Sequence, residues 1–166
     1  LFIVLHTIGS HGPTYFRRYP KEFKKFTPTC DTEEIQTCTR DQIVNTYDNT
    51  ILYADHISAS VIDILKEQPK WESGMMYVSD HGESLGENGV YLHGLPYAIA
   101  PETQTRVPMV IWMSNTMKKA DHIDYACLKK KAAEGKFSHD NISHSLLTLM
   151  ESQSKVYDPQ LDIFDS

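Results

Sequence analysis

Basic residues are in short supply: 16 Lys and Arg stand against 22 Asp and Glu, a formal net charge of -6. A protein that grips a phosphate backbone carries a basic patch or stripe, so nucleic acid is excluded as a partner. The densest basic run, Lys129 to Lys131, reads as the solvated face of a helix. No apolar run approaches the ~20 residues needed to span a bilayer. The longest, Leu1–Leu5 and Met109–Met113, have the length of strands. No initiator Met and no charged segment precedes the first apolar run, so it does not read as a signal peptide, and a buried strand at residue 1 leads us to expect sequence upstream of it. Internal repeats and low-complexity segments are lacking too. Cysteines number only 3; Cys30 and Cys38 bracket a short polar loop that a disulfide could close in an oxidising compartment, although two separate thiols fit the spacing equally well. Cys127 has no evident third partner, another sign of sequence outside this chain.

What remains is a chain of 166 residues, 40% hydrophobic, enough for one globular unit with a sizeable core. Leu1–Leu5 is apolar throughout, as for a parallel strand covered on both faces, and runs into the loop His6-Thr7-Ile8-Gly9-Ser10-His11-Gly12-Pro13. From Asp41 to about Lys66, Ile43, Tyr47, Ile51, Ala54, Val61 and Leu65 recur at helical spacing, and Pro69 lies just beyond. Met75–Val78 reads as a second strand, so the helix would be a crossover between two strands. Val107–Met113 reads as a third, with Pro108 tolerated near its start. Two weaker helices follow, the second opened by the cap-like Ser138-His139-Asp140-Asn141. The alternation predicts an α/β fold with a mostly parallel sheet flanked by helices.

Parallel sheets bind ligands beyond the carboxyl ends of their strands, and this order places His6, His11, Asp80, His81, Glu83 and His93 at such ends. Asp80 and His81 are adjacent at one of them, a carboxylate oxygen beside an imidazole nitrogen, a pair suited to Zn2+. The run from Ser79 to Gly94 is rich in glycine, which lets the backbone fold tightly, and His93 returns a second imidazole after a loop long enough to double back. We therefore expect a metal or phosphate site here. His56, His122, His139 and His144 read as surface or capping residues, and Glu87 and Asn88 fit either a turn or a supporting role around ligands.

The runs His6–Tyr15, Phe26–Asp31, Asn45–Thr50 and Ser79–Gly89 resemble, in the same order, the lipid A phosphoethanolamine transferases of the EptA type, which include the mobile colistin-resistance enzymes. The similarity extends over essentially the whole chain. It implies the alkaline phosphatase and sulfatase superfamily, with residues 1–166 as the C-terminal part of a periplasmic catalytic domain, incomplete at its N-terminus, whose membrane domain lies outside the chain. It further implies that Asp80 and His81 are ligands of catalytic Zn2+, and that His11 and His93 serve catalysis by binding the substrate phosphate or a second zinc. His6 and Glu83 would be nearby supports, and Cys30 and Cys38 a disulfide. The family's nucleophile is a threonine which, with a glutamate, completes the zinc shell; both would lie before Leu1, and neither Thr7 nor Thr14 matches by motif.

The activity so implied is transfer of phosphoethanolamine from phosphatidylethanolamine to a lipid A phosphate through a phospho-threonine intermediate. It would take place at the periplasmic face of the bacterial inner membrane, in a monomer that meets the membrane through the absent domain. The added positive charge would weaken binding of polymyxin and other cationic peptides. Rival readings are a sulfatase or phosphomonoesterase that releases product to water, and a half-domain inactive as isolated.

Overall fold

A computed structural model describes residues 1–119 and 123–165, so His122 lies outside the described residues. In chain order the regular elements are α1 (Arg40–Lys66), β1 (Gly74–Val78), β2 (Ser84–Leu85), β3 (Tyr91–Leu92), α2 (Glu102–Thr105), β4 (Met109–Met113), α3 (Tyr125–Glu134) and α4 (Asp140–Leu149), joined by loops with short 3-10 turns. The chain packs as two units. One comprises Leu5–Ile64 and Met75–Ile111; the other comprises Leu1–Val4, Leu65–Gly74 and the described part of Trp112–Ser166.

Helix α1 organises the first unit. A capping box opens it: Gln42 N donates to Thr39 Oγ1 at 3.3 Å, and Thr39 N donates back to Gln42 Oε1 at 2.9 Å. Its length agrees with the sequence expectation, but its most buried stripe is Ile43, Thr46, Asn49 and Thr50, while the expected apolar Ile51 is 45% exposed. The polar members are buried because a loop with little secondary structure of its own packs there, and its backbone groups need partners. Asn49 Oδ1 accepts from Lys25 N and Phe26 N at 2.7 and 2.9 Å, and its Nδ2 donates to Phe26 O at 2.9 Å. Thr46 Oγ1 accepts from Cys30 N at 2.7 Å, and Asn45 Nδ2 donates to Pro28 O at 3.0 Å. Cys30 and Cys38 form the disulfide, and Cys127 is a free, half-buried thiol. Tyr15, Cys30, Ile35 and Ile43 form the core of this unit, with Tyr47, Leu85 and Leu92 packed around it.

The sheet departs from expectation. Leu1–Leu5 forms no strand: all five residues are exposed, from 52% at Phe2 upward, and the segment has no ladder partner among the described residues. Apolar composition suits a strand to burial, but a strand exists only where a neighbour takes its N–H and C=O groups. The crossover expected around α1 therefore lacks its first strand here. β1 pairs with β4, which starts at Met109 rather than Val107 because Pro108 has no N–H to give a ladder. A second, unexpected ladder pairs β2 with β3 antiparallel.

In the second unit, Asp124 caps α3 by accepting from Cys127 N at 2.9 Å. Lys129 and Lys130 are exposed, as expected of a solvated face, and Lys131 Nζ donates to Asp165 O. The segment after α4 is held by Asp162, buried at 5% exposure, whose carboxylate accepts from Thr148 Oγ1, Tyr157 OH and Phe164 N. That anchoring seats Ile163 and Phe164 in the interior.

Candidate functional site

β1 ends at Val78, and the chain leaves it through Ser79, Asp80 and His81. Gly82 N then donates to Gln104 O at 2.9 Å, and a Cβ at position 82 would lie 2.0 Å from Thr103 O, so only glycine lets α2 come this close. Gln104 Nε2 in turn donates to Ser84 Oγ at 3.0 Å, fixing the start of β2. From there the chain doubles back as a small hairpin in which Ser84 faces Leu92 and Leu85 faces Tyr91. One more step in that register sets Glu83 opposite His93, and there Glu83 Oε1 lies 3.1 Å from His93 Nδ1.

Glu83 also reaches the loop of the first histidines. Its Oε1 accepts from Gly12 N at 3.1 Å, and its Oε2 accepts from Tyr15 OH at 3.1 Å. A Cβ at position 12 would lie 2.5 Å from Leu92 Cδ2 and 2.7 Å from the Tyr15 ring, so any side chain there would push both aside. The Glu83 side chain is 3% exposed, so its lone pairs depend on these donors. Tyr15 is 1% exposed, and burial first, then the Glu83 charge beside it, pushes its phenol far above the ordinary tyrosine value. Burial and the same charge raise Tyr47 as well.

Around this carboxylate, His11, His81 and His93 come together, one ring nitrogen of each lying within 4.8 Å of the others. His81 and His93 stack at 3.8 Å between centroids, and His11 meets His93 edge-on at 4.8 Å. His11 Nδ1 lies 2.7 Å from Gly12 O and His81 Nδ1 lies 3.0 Å from Gly82 O. A carbonyl only accepts, so in both rings Nδ1 carries the proton. His93 Nδ1 faces a carboxylate and follows the same rule. All three rings, when neutral, therefore keep the Nε2 lone pair for a ligand, with Nδ1 held by an oxygen, the arrangement that orients metal-binding imidazoles. Such nitrogens can hold a borderline divalent ion such as zinc or, as imidazolium N–H donors, the oxygens of a phosphate.

Asp80 is placed differently. Its side chain is 84% exposed, with Oδ1 3.9 Å from His81 Nε2 and 3.1 Å from His81 N. His6 is exposed and is not one of the three clustered rings. Glu87 accepts from Leu85 N at 2.7 Å and pairs with Arg40 at 3.2 Å, which assigns it to the hairpin turn. His56 packs on Phe23 at 4.9 Å, His144 accepts from Asp158 N at 2.9 Å, and His139 occupies the N-cap of α4. Tyr15 is the residue that sequence reasoning passed over. Its only signal was a place at the end of the histidine loop.

Residues 1–152 match the profile of the family described as Sulfatase. The phosphoethanolamine transferase EptA of Escherichia coli strain K12 is 56% identical over 165 residues, 99% of this chain and 30% of that protein. The phosphatidylethanolamine transferase Mcr-2 of Escherichia coli is 44% identical over 152 residues, 91% of this chain and 26% of that protein. Among solved structures, the integral membrane protein lipooligosaccharide phosphoethanolamine transferase A from Neisseria meningitidis superposes with a TM-score of 0.93 at 56% identity, covering 97% of this chain and 30% of that one. The chain thus spans less than a third of the length of these relatives.

Proposed function

The chain belongs to the sulfatase family, and we propose that it supplies part of the catalytic centre of a zinc-dependent phosphoethanolamine transferase. The donor would be phosphatidylethanolamine and the acceptor a lipid A phosphate. The observation that carries this reading is the convergence of His11, His81 and His93 on one point, each with Nδ1 anchored on an oxygen. Asp80 and His81 would hold the zinc. When bound, it supplies positive charge that activates a hydroxyl nucleophile and offsets the charge on phosphorus-bound oxygen.

His11 and His93 present Nε2 to the phosphate. Protonated, each donates a hydrogen bond to an equatorial oxygen; neutral, each can accept a proton from the attacking hydroxyl. Glu83 keeps His93 turned for that task, and through Gly12 N it positions the His11 segment. The nucleophile implied by the family resemblance is a threonine outside the residues of this chain, which would carry the phosphoethanolamine between donor and acceptor. A periplasmic site at the inner membrane agrees with the Cys30–Cys38 disulfide, and masking of lipid A charge would lower sensitivity to polymyxins.

The test separates the two sets of residues in the protein that carries this chain. His81→Ala should lower bound zinc and abolish transfer; His93→Ala should slow transfer and leave the zinc content intact. Equal zinc loss in both variants would overturn the division of roles. The family match also favours a hydrolase as second reading, and release of free phosphoethanolamine to water with no labelled lipid A would select it.

A further inference from the structure

Tyr15 has its ring in the core and its hydroxyl in the site. The ring packs with Cys30, Ile35 and Ile43 and meets Tyr47 of α1 edge-on, at 5.5 Å between centroids. Its backbone is fixed as well, in a 3-10 turn where Arg18 N donates to Tyr15 O at 2.9 Å. The hydroxyl therefore has a set place, close against the backbone of Gly12, where it donates to Glu83 Oε2 at 3.1 Å. Burial, then the Glu83 charge, raises the phenol so far that it keeps this proton throughout the neutral range. The last torsion of a glutamate is broad, so a carboxylate held at one oxygen can still turn. Glu83 Oε1 serves two groups at once, Gly12 N and His93 Nδ1, each at 3.1 Å, and can do so only while its plane is fixed. The bond from Tyr15 to the other oxygen fixes it.

We propose that Tyr15 is a positioning residue for His93: by holding Glu83 Oε2 it sets the carboxylate that aims the imidazole, with Nε2 toward the substrate phosphate. The inference rests on the reading of His93 as a group that faces phosphate. Tyr15 touches no reacting atom and acts only through Glu83. The relay is complete within one packing unit of this chain, from Tyr47 through Tyr15 and Glu83 to His93. Tyr15 and the Glu83 side chain are 1% and 3% exposed, so their bond is made inside that unit. A catalytic imidazole on a hairpin is thereby tied to the helix and disulfide core, the kind of support that keeps a site rigid.

The test is a double-mutant cycle in the full-length protein, read by transfer from phosphatidylethanolamine to lipid A. Tyr15→Phe keeps the ring in the core and removes the donor. It should lower kcat by about tenfold or more, the scale of a misaimed catalytic group, with KM for donor and acceptor and bound zinc unchanged. In a His93→Ala background the same change should alter kcat by less than about twofold, because the residue it acts on is gone. Equal losses in both backgrounds would mean that Tyr15 only supports the fold, and no loss where His93 is intact would mean that His93 needs no such hold. Either result overturns the proposal. Should Tyr15→Phe not fold, Tyr15→para-aminophenylalanine, a weaker donor of nearly the same shape, enters the same cycle. Its expected loss is about threefold with His93 present and none without it. A second readout does not depend on turnover. In protein carrying isotope-labelled histidine at neutral pH, the Nδ1 proton of His93, identified by its loss in His93→Ala, should resonate far downfield and move upfield or vanish in the Tyr15 variant. An unmoved resonance also overturns the proposal. If the parent protein transfers nothing, the proposed activity fails on its own, and this resonance still decides whether Tyr15 holds His93.

Discussion

Replacing Glu83 with alanine would strand three donors at once: Gly12 N, Tyr15 OH and His93 Nδ1. The first two are buried, and a buried donor left without a partner costs ~1–3 kcal/mol. His93, with 30% of its side chain exposed, can turn to water instead. The vacated volume adds to the loss, while removal of a desolvated charge subtracts from it. The balance is a destabilisation of about 2–5 kcal/mol, a large share of the ~5–15 kcal/mol that holds an ordinary domain together. Glutamine fills the same space and keeps a carbonyl acceptor, and the Tyr15 hydroxyl can rotate to accept from the amide. Glu83→Gln should therefore cost only about 1 kcal/mol. Equilibrium unfolding in urea, followed by far-UV circular dichroism at neutral pH, reads both values. Equal losses in the two variants, or a loss below about 1 kcal/mol for alanine, would refute the role of Glu83 as the acceptor that joins the two histidine segments.

Stability should fall at alkaline pH. Burial, with the Glu83 charge in support, holds Tyr15 and Tyr47 above the ordinary value, whereas in the unfolded chain phenols ionise near ~10. Above that pH the unfolded state gives up protons that the folded state keeps, so stability is intact below ~10 and declines as pH climbs toward the folded values. Tyr15→Phe should flatten the decline, and a urea midpoint unmoved between about pH 9 and 11 would contradict the assignment. Asn49→Ala removes all three of the bonds that clamp Lys25 and Phe26 to α1 and should cost about 2–4 kcal/mol, read by the same unfolding curves with faster amide exchange at those two residues. Opening the disulfide, with a sequence separation of 8, should cost about 2.5 kcal/mol on loop-closure grounds; unfolding midpoints with and without reductant measure it, and no shift would refute it.

The sequence by itself determined the local pieces of this protein. Helical spacing located α1 to within a residue, because an amphipathic period survives whatever packs against it. Short apolar runs, one leading into Ser79-Asp80-His81 and one following Pro108, located β1 and β4. The motif around Ser79–Gly94 marked the candidate site, since glycines and chemistry-bearing side chains at a strand end are a pattern written along the chain. Tertiary structure decided the rest. Leu1–Leu5 has the composition of a strand, but a strand is a relation between two segments, and among the described residues no partner takes its backbone. Asn45–Thr50 stood out in the sequence only as one of the runs that carry the family resemblance, and folding makes Asn45, Thr46 and Asn49 a clamp on a loop about twenty residues upstream, a role that spacing along the chain cannot express. Tyr15 and Glu83 are 68 positions apart, and only folding makes one the donor to the other. The meeting of His81 with His11 and His93 is of the same kind. Ligand type is a property of a residue, but convergence of three nitrogens belongs to the hairpin register and to two close approaches, at Gly82 against the backbone of Thr103 and at Gly12 against the side chains of Leu92 and Tyr15.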